Sequence, residues 1–208
     1  KFKKRHIIEN DKFNYIFLKS LLFELAPIEN RNISNKNYTP NQNFKSEYEQ
    51  ELFKINFVHN KFKDPIRFNT FNWKRRYYDY YFNTHFKNNN QIKEICFNYF
   101  KTIKWTYLYY TKGCPSWEWY YPYRQTPVLS DLKNFITNIR INDIEFKKSN
   151  PLKPLEQLLC VLPPQSKELL PNSLSKLMVS PESNILDYYP VDFNYDYLGK
   201  RFYGNVIL

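Results

Sequence analysis

The sequence predicts a mostly α fold: an irregular helical domain with long proline-rich loops and little β structure. Residues 91–112 set Ile92, Ile95, Cys96, Tyr99, Ile103 and Tyr107 on a 3.6-residue period, over a span too long for a strand. Pro151, Pro154, Pro163-Pro164, Pro171, Pro181 and Pro190 divide the last quarter of the chain into pieces that fit only short helices. Residues 139–146, IRINDIEF, alternate like a strand or an extended edge. Hydrophobic residues make up 42% of the 208, and 20% are aromatic, so rings supply much of the core. Residues 1–208 are read as a single helical domain. A chain that begins with Lys1 is read as a piece of something longer.

The elements follow in order. Residues 11–26 carry Phe13, Ile16, Phe17, Leu21, Phe23 and Leu25 at helical spacing, with Asp11 to cap the start and Pro27 to stop it. Residues 28–46 are polar, Asn-rich and hold Pro40, and read as a loop. Residues 47–63 look helical in their first half, until Asp64-Pro65. In residues 72–87 a helix would show Lys74, Arg75 and Arg76 on one side and Trp73, Tyr77, Tyr80, Tyr81 and Phe82 on the other. The helix over 91–112 ends at Gly113, which suits the left-handed conformation, and Pro115 prevents a restart. Ser130-Asp131 opens a short helix through Ile136. Leu155–Leu162 and Leu174–Met178 read as short helical segments.

Charge narrows the partners. Net charge is +11, and residues 1–150 hold 26 Lys and Arg against 14 Asp and Glu, whereas residues 151–208 hold 5 against 6. A basic surface beside aromatics points to nucleic acid; a merely soluble, lysine-rich surface fits equally well. Cys96, Cys114 and Cys160 are far apart and form no CxxC pair, as in a reduced intracellular protein. No apolar run approaches the ~20 residues that span a bilayer, so no membrane partner is expected.

Catalytic signals are sparse. Metal-assisted nucleases need several carboxylates converging on one or two cations, and here the acids stand singly. Asp187, Asp192 and Asp196 are the one close set, and their spacing suits a self-capping loop better than a metal cage. Three histidines (His6, His59 and His85) form no zinc motif, and three glycines cannot build a phosphate loop. No catalytic residue and no bound cofactor is expected within this chain.

The most distinctive stretch is Trp105–Pro127, WTYLYYTKGCPSWEWYYPYRQTP, which holds three of the four tryptophans. Such a cluster is a packed centre, a platform for flat ligands, or both. Trp117, Trp119 and Tyr121 are the stacking candidates, and a stacked base is worth roughly 1–3 kcal/mol. Lys74, Arg75, Arg76 and Arg124 are the candidates for nucleic-acid backbone contacts. If the segment is extended, Trp117 and Trp119 face opposite ways, one toward the core and one toward a ligand.

The run WTYLYYTKGCPSWEWYYPYRQTPVLSDL resembles the second conserved region of the XRN family of 5′→3′ exoribonucleases. The likeness continues through Pro151-Leu152-Lys153-Pro154-Leu155-Glu156-Gln157-Leu158, Val161-Leu162-Pro163-Pro164, Leu170-Pro171, Leu177-Met178, Asp187-Tyr188-Tyr189-Pro190 and Gly199-Lys200-Arg201-Phe202. It is dense over 99–203, weaker over 47–98 and thin before that. The resemblance implies a largely helical region that walls the active-site channel and guides single-stranded, 5′-monophosphorylated RNA, with an aromatic stacked on the bases. That role falls on Trp117 or Trp119, of which Trp117 is preferred. It also implies that the metal-binding carboxylates, with magnesium or manganese, belong to an N-terminal catalytic region, the expected partner, absent here. This chain alone would be inactive. Where the family pattern has His-Tyr-Ala, this chain has Arg124-Gln125-Thr126. Arg124 keeps a donor, but any pH-dependent role of that histidine is gone. The family's Phe after Lys-Pro is Leu155 here.

Two rival readings remain: a non-catalytic RNA-binding or protein-interaction module that kept the scaffold, and a general single-strand binder. The resemblance leaves nuclear and cytoplasmic types open, with Gly199-Lys200-Arg201-Phe202 leaning toward the nuclear one.

Overall fold

A computed structural model of the chain describes residues 6–34, 43–54, 64–68, 70–84 and 88–189, with the backbone of 194–196 and 205–207. In chain order the elements are β1 (Ile8–Glu9), β2 (Lys12–Phe13), α1 (Tyr15–Ser34), α2 (Glu47–Phe53), α3 (Trp73–Phe82), α4 (Asn89–Lys112), α5 (Leu129–Phe135), α6 (Pro154–Val161), α7 (Asn172–Ser175), β3 (Asn194–Asp196) and β4 (Asn205–Ile207). Short 3₁₀ turns fill several connections, and the fold is mostly α. The chain divides into two compact units, Lys1–Thr39 with Lys63–Ser149, and Pro40–Phe62 with Asn150–Leu208.

The first unit starts with an antiparallel pair, Ile8 opposite Phe13 and Glu9 opposite Lys12. Asn10 and Asp11 turn it with φ of 49° and 61°, the left-handed values that a two-residue hairpin needs. Asp11 therefore does not cap α1, contrary to expectation. Asn14 caps it instead, its Oδ1 accepting the Phe17 N–H at 3.0 Å, while Asp11 pairs with Lys112 at 3.0 Å.

Pro27 does not stop α1, which runs on to Ser34. Leu18, Leu22 and Ala26 form a buried i, i+4, i+8 stripe, and α1 packs chiefly on α5. Pro27 is exposed on the other side. The carbonyl that it leaves without a helical N–H belongs to Phe23, itself half-exposed, where water can reach it. The last turns are held further by Glu29, whose carboxylate accepts the Leu129 N–H at 2.7 Å at the start of α5. The expected loop over 28–46 thus begins later; residues 35–42 lie outside the described residues.

On α3, Tyr77, Tyr78 and Phe82 are buried. On α4, which begins at Asn89 with Asn88 capping Gln91 N–H at 3.3 Å, the buried residues are Ile92, Ile95, Cys96 and Phe100. Gly113 ends α4 with φ 91° and ψ 178°. The positive φ was expected; the left-handed conformation was not realised, because the chain leaves the helix extended instead of curling back. Residues 139–146 form no strand. A 3₁₀ turn at Ile141–Asp143 breaks the alternation and buries Ile139, Ile141 and Ile144 together. Asn142 substitutes for a partner strand: its side-chain amide donates to Phe13 O at 3.0 Å and accepts from Phe13 N–H at 2.9 Å.

In the second unit, Ser46 caps α2 through Glu49 N–H at 3.2 Å. Pro154 sits in the first turn of α6, where its missing N–H costs nothing, and Glu156 accepts the Lys153 N–H at 2.9 Å. Tyr189 donates its hydroxyl to Leu159 O at 2.5 Å. Leu170 and Met178 are buried. Strands β3 and β4 pair antiparallel with Tyr195 opposite Val206.

Candidate nucleic-acid interface

The site is built on the loop between α4 and α5, residues 113–128. With no regular hydrogen-bond ladder of its own, a loop is fixed only by what its backbone groups find. Here they find partners at both ends.

At the start, Ser116 is buried, and its carbonyl accepts the indole N–H of Trp105 at 3.0 Å. The N–H groups of Trp117 and Glu118 both donate to Ser149 Oγ, at 2.7 and 3.0 Å. At the end, Tyr77 donates its hydroxyl to Thr126 O at 2.7 Å. Tyr78 accepts the Val128 N–H at 3.3 Å and donates to Asp131 Oδ2 at 2.6 Å. Lys74 reaches the other oxygen of Asp131, also at 2.6 Å, and Ser130 Oγ at 3.2 Å. Asp131 is therefore a buried carboxylate satisfied by a cation and a phenol. Burial, then the Asp131 charge, holds the Tyr78 hydroxyl well above the usual tyrosine range, so it keeps its proton. Burial, then the same charge, pushes the Cys96 thiol up. Burial also raises the Glu29 carboxyl.

Between these anchors the rings separate into two kinds. Trp119 packs inward: its ring meets Phe146 edge-on at 5.5 Å and lies 6.4 Å from Trp105. Lys101 Nζ sits 5.5 Å from the Trp119 ring and 5.4 Å from Phe146, a cation–π arrangement. Tyr121 also packs, against Tyr99 and Tyr123, and donates its hydroxyl to Gln125 O at 2.9 Å. Burial raises it well above the usual tyrosine range. Trp117, by contrast, is 56% exposed and Tyr120 74%. On the last turns of α4, Tyr109 stacks on Trp105 at 5.1 Å, and Tyr110 is 81% exposed.

The basic candidates separate too. Lys74 is engaged inward by Asp131. Arg76 clamps the turn before α3, donating to the carbonyls of Ile66 at 2.6 Å, Phe71 at 2.8 Å and Arg67 at 3.1 Å, and to Thr70 Oγ1 at 2.5 Å. Arg75 is exposed and makes a loose surface pair with Asp79 at 3.5 Å. Arg124 is exposed on the loop. The structure thus brings Trp117, Tyr120 and Arg124 onto the outer surface of one loop and uses Lys74, Arg76, Trp119 and Tyr121 to hold the scaffold beneath.

Nothing in the sequence alone marks Ser149, Tyr78 and Asp131 as partners that hold this loop. Asp131 was visible only as a helix opener; nothing in the sequence ties Ser149 to residues 31 and 32 positions earlier.

Among the described residues no three His, Cys, Asp or Glu side chains stand close enough to hold a metal ion. Asp187 lies in a 3₁₀ turn and Asp196 in β3, while Asp192 lies outside the described residues, as do His59, His85 and Gly199-Lys200-Arg201-Phe202. No described helix is long and apolar enough to cross a membrane.

Residues 9–208 match the family described as the Xrn1 helical domain. The chain is 39% identical over 143 residues to the 5′-3′ exoribonuclease 2 of Schizosaccharomyces pombe, covering 69% of this chain and 14% of that protein. It is 39% identical over 140 residues to the Gallus gallus protein of the same name, 67% of this chain and 14% of that one. Against the Debaryomyces hansenii protein of that name it is 47% identical over 103 residues, 50% of this chain and 10% of that one. The chain therefore spans a small part of the length of the curated relatives it matches. It belongs to the Xrn1 helical-domain family.

Proposed function

We propose that this chain is the helical region of a 5′→3′ exoribonuclease, that it borders the channel taking single-stranded, 5′-monophosphorylated RNA, and that Trp117 stacks on a base there. The observation that carries the reading is the contrast within one loop. Trp119 and Tyr121 are packed, whereas the Trp117 indole stands 56% exposed on a backbone fixed from both sides. A large exposed ring on a pre-ordered loop is what a stacking platform requires, because little ordering cost remains to be met on binding. Arg124 and Arg75, both exposed, are the candidate contacts to the RNA backbone. Phosphoryl chemistry, with its divalent cation, belongs to the rest of the protein.

The test compares Trp117→Ala and Trp119→Ala in the full-length protein that carries this region. Trp117→Ala should weaken binding of a 5′-monophosphorylated single-stranded RNA by about 1–3 kcal/mol without lowering the melting point. If Trp117→Ala binds and degrades that RNA normally, the stacking role is wrong. A full-length protein that never releases nucleotides from the 5′ end would instead support the non-catalytic module.

A further inference from the structure

We infer that Ser149 is a positioning residue for Trp117, holding the stacking ring ready through the backbone and not through its side chain. The inference rests on the stacking role proposed above and adds to it the element that fixes the ring.

Ser149 Oγ accepts two successive backbone N–H groups, Trp117 at 2.7 Å and Glu118 at 3.0 Å, and lies 3.4 Å from Ser116 Oγ. Successive N–H groups converging on one point form a nest, a concavity that ordinarily holds an anionic oxygen. Here a neutral hydroxyl fills it. A serine hydroxyl has two acceptor sites and one proton. The two N–H groups use both acceptor sites, which leaves the proton of Ser149 to Ser116 Oγ. Ser116 is itself 3% exposed, with its carbonyl taken by the Trp105 indole at 3.0 Å. The peptide planes on both sides of Trp117 are therefore fixed by groups from distant parts of the chain. Trp117 itself remains 56% exposed.

This arrangement separates pose from contact. Ser149 Oγ bonds the backbone of Trp117 and Glu118 and the hydroxyl of Ser116, not the Trp117 ring. Its removal leaves the ring in place chemically and lets the loop sample other orientations. Binding must then order the loop, which costs about three- to tenfold in affinity.

The test uses the full-length protein and a 5′-monophosphorylated single-stranded oligoadenylate, with Ser149→Ala, Trp117→Ala and the double variant. Ser149→Ala should raise KM about three- to tenfold, more than it lowers kcat, and should add little in the Trp117→Ala background. A purely structural role would reduce the amount of active protein, lowering kcat at unchanged KM. The isosteric pair Ser149→Thr and Ser149→Val isolates the hydroxyl: threonine should keep KM near the parent value, and valine should not. This pair also decides the matter if the alanine variant fails to fold. Ser149→Ala with unchanged KM beside an impaired Trp117→Ala overturns the inference alone. Equal losses from Ser149→Ala with and without Trp117 overturn it as well. An unimpaired Trp117→Ala overturns the stacking role and this inference with it.

Discussion

The two tryptophans of Ser116–Trp119 differ in their surroundings, and substitutions should separate them. Trp119 has Phe146, Trp105 and the Lys101 ammonium around it. Trp119→Ala, which removes a half-buried ring, should lower stability by about 1–3 kcal/mol, read from denaturant unfolding. Trp117→Ala should change it by no more than about 0.5 kcal/mol, as for an exposed side chain. Asp131 is the most demanding polar residue of the unit. Asp131→Ala removes the carboxylate that both the Lys74 ammonium and the Tyr78 hydroxyl bond and should cost about 3–5 kcal/mol, measured the same way. Spacing in the sequence identified the loop rings as a group but could not sort them, because i and i+2 rings differ only by which side of the chain finds a neighbour. The sorting comes from Phe146 and Lys101, which no local pattern connects to Trp119. In the same way, Lys74, Arg75 and Arg76 are three adjacent cations in sequence and three different things in space: a part-buried ion pair, a surface pair and a carbonyl clamp.

At the scale of elements, the end of α4 and the junction of α1 with α5 can each be tested at one residue. Gly113 holds φ 91° and ψ 178°, and a Cβ there would meet nothing within 4 Å. Gly113→Ala should therefore cost only the backbone strain, about 1–3 kcal/mol, visible as an earlier unfolding midpoint. The start of α5 offers a pH test. Glu29 caps Leu129 N–H, and burial raises its carboxyl above the ordinary 4.5. Since the folded state favours the protonated form, the Glu29 contribution to stability is fully present below that ordinary value. It is lost as pH rises through the folded one. Glu29→Gln should remove this dependence while keeping an acceptor for Leu129, and unfolding curves recorded from pH 4.5 upward would show it as a flatter profile. The long helix α4 was legible because its apolar period is carried by its own residues. The extension of α1 past Pro27 was not legible. It depends on Leu18, Leu22 and Ala26 packing on α5, and on Glu29 finding Leu129 a hundred residues away. The expected strand at 139–146 failed for a related reason. Alternation needs a neighbouring strand to be realised, and Phe13 found the Asn142 side chain instead.

Over the whole molecule, charge follows the division into units. Residues 1–39 and 63–149 hold 23 Lys and Arg against 11 Asp and Glu, and the remainder 8 against 9. The unit that carries the aromatic loop is thus the basic one, in keeping with a role beside a polyanion. RNA binding by the full-length protein should weaken as salt rises, and Arg124→Gln should reduce the magnitude of the log–log slope by about 0.7. Lys74→Gln should leave the slope unchanged and destabilise the fold. The most direct measurement is ultraviolet crosslinking of the full-length protein to 5′-monophosphorylated single-stranded RNA, followed by trypsin digestion and sequencing of the adducts. Cleavage after Lys112 and Arg124 isolates both loop tryptophans in one peptide. An adduct on that peptide at Trp117 is the predicted result; adducts elsewhere in the protein with none between residues 113 and 124 would contradict it.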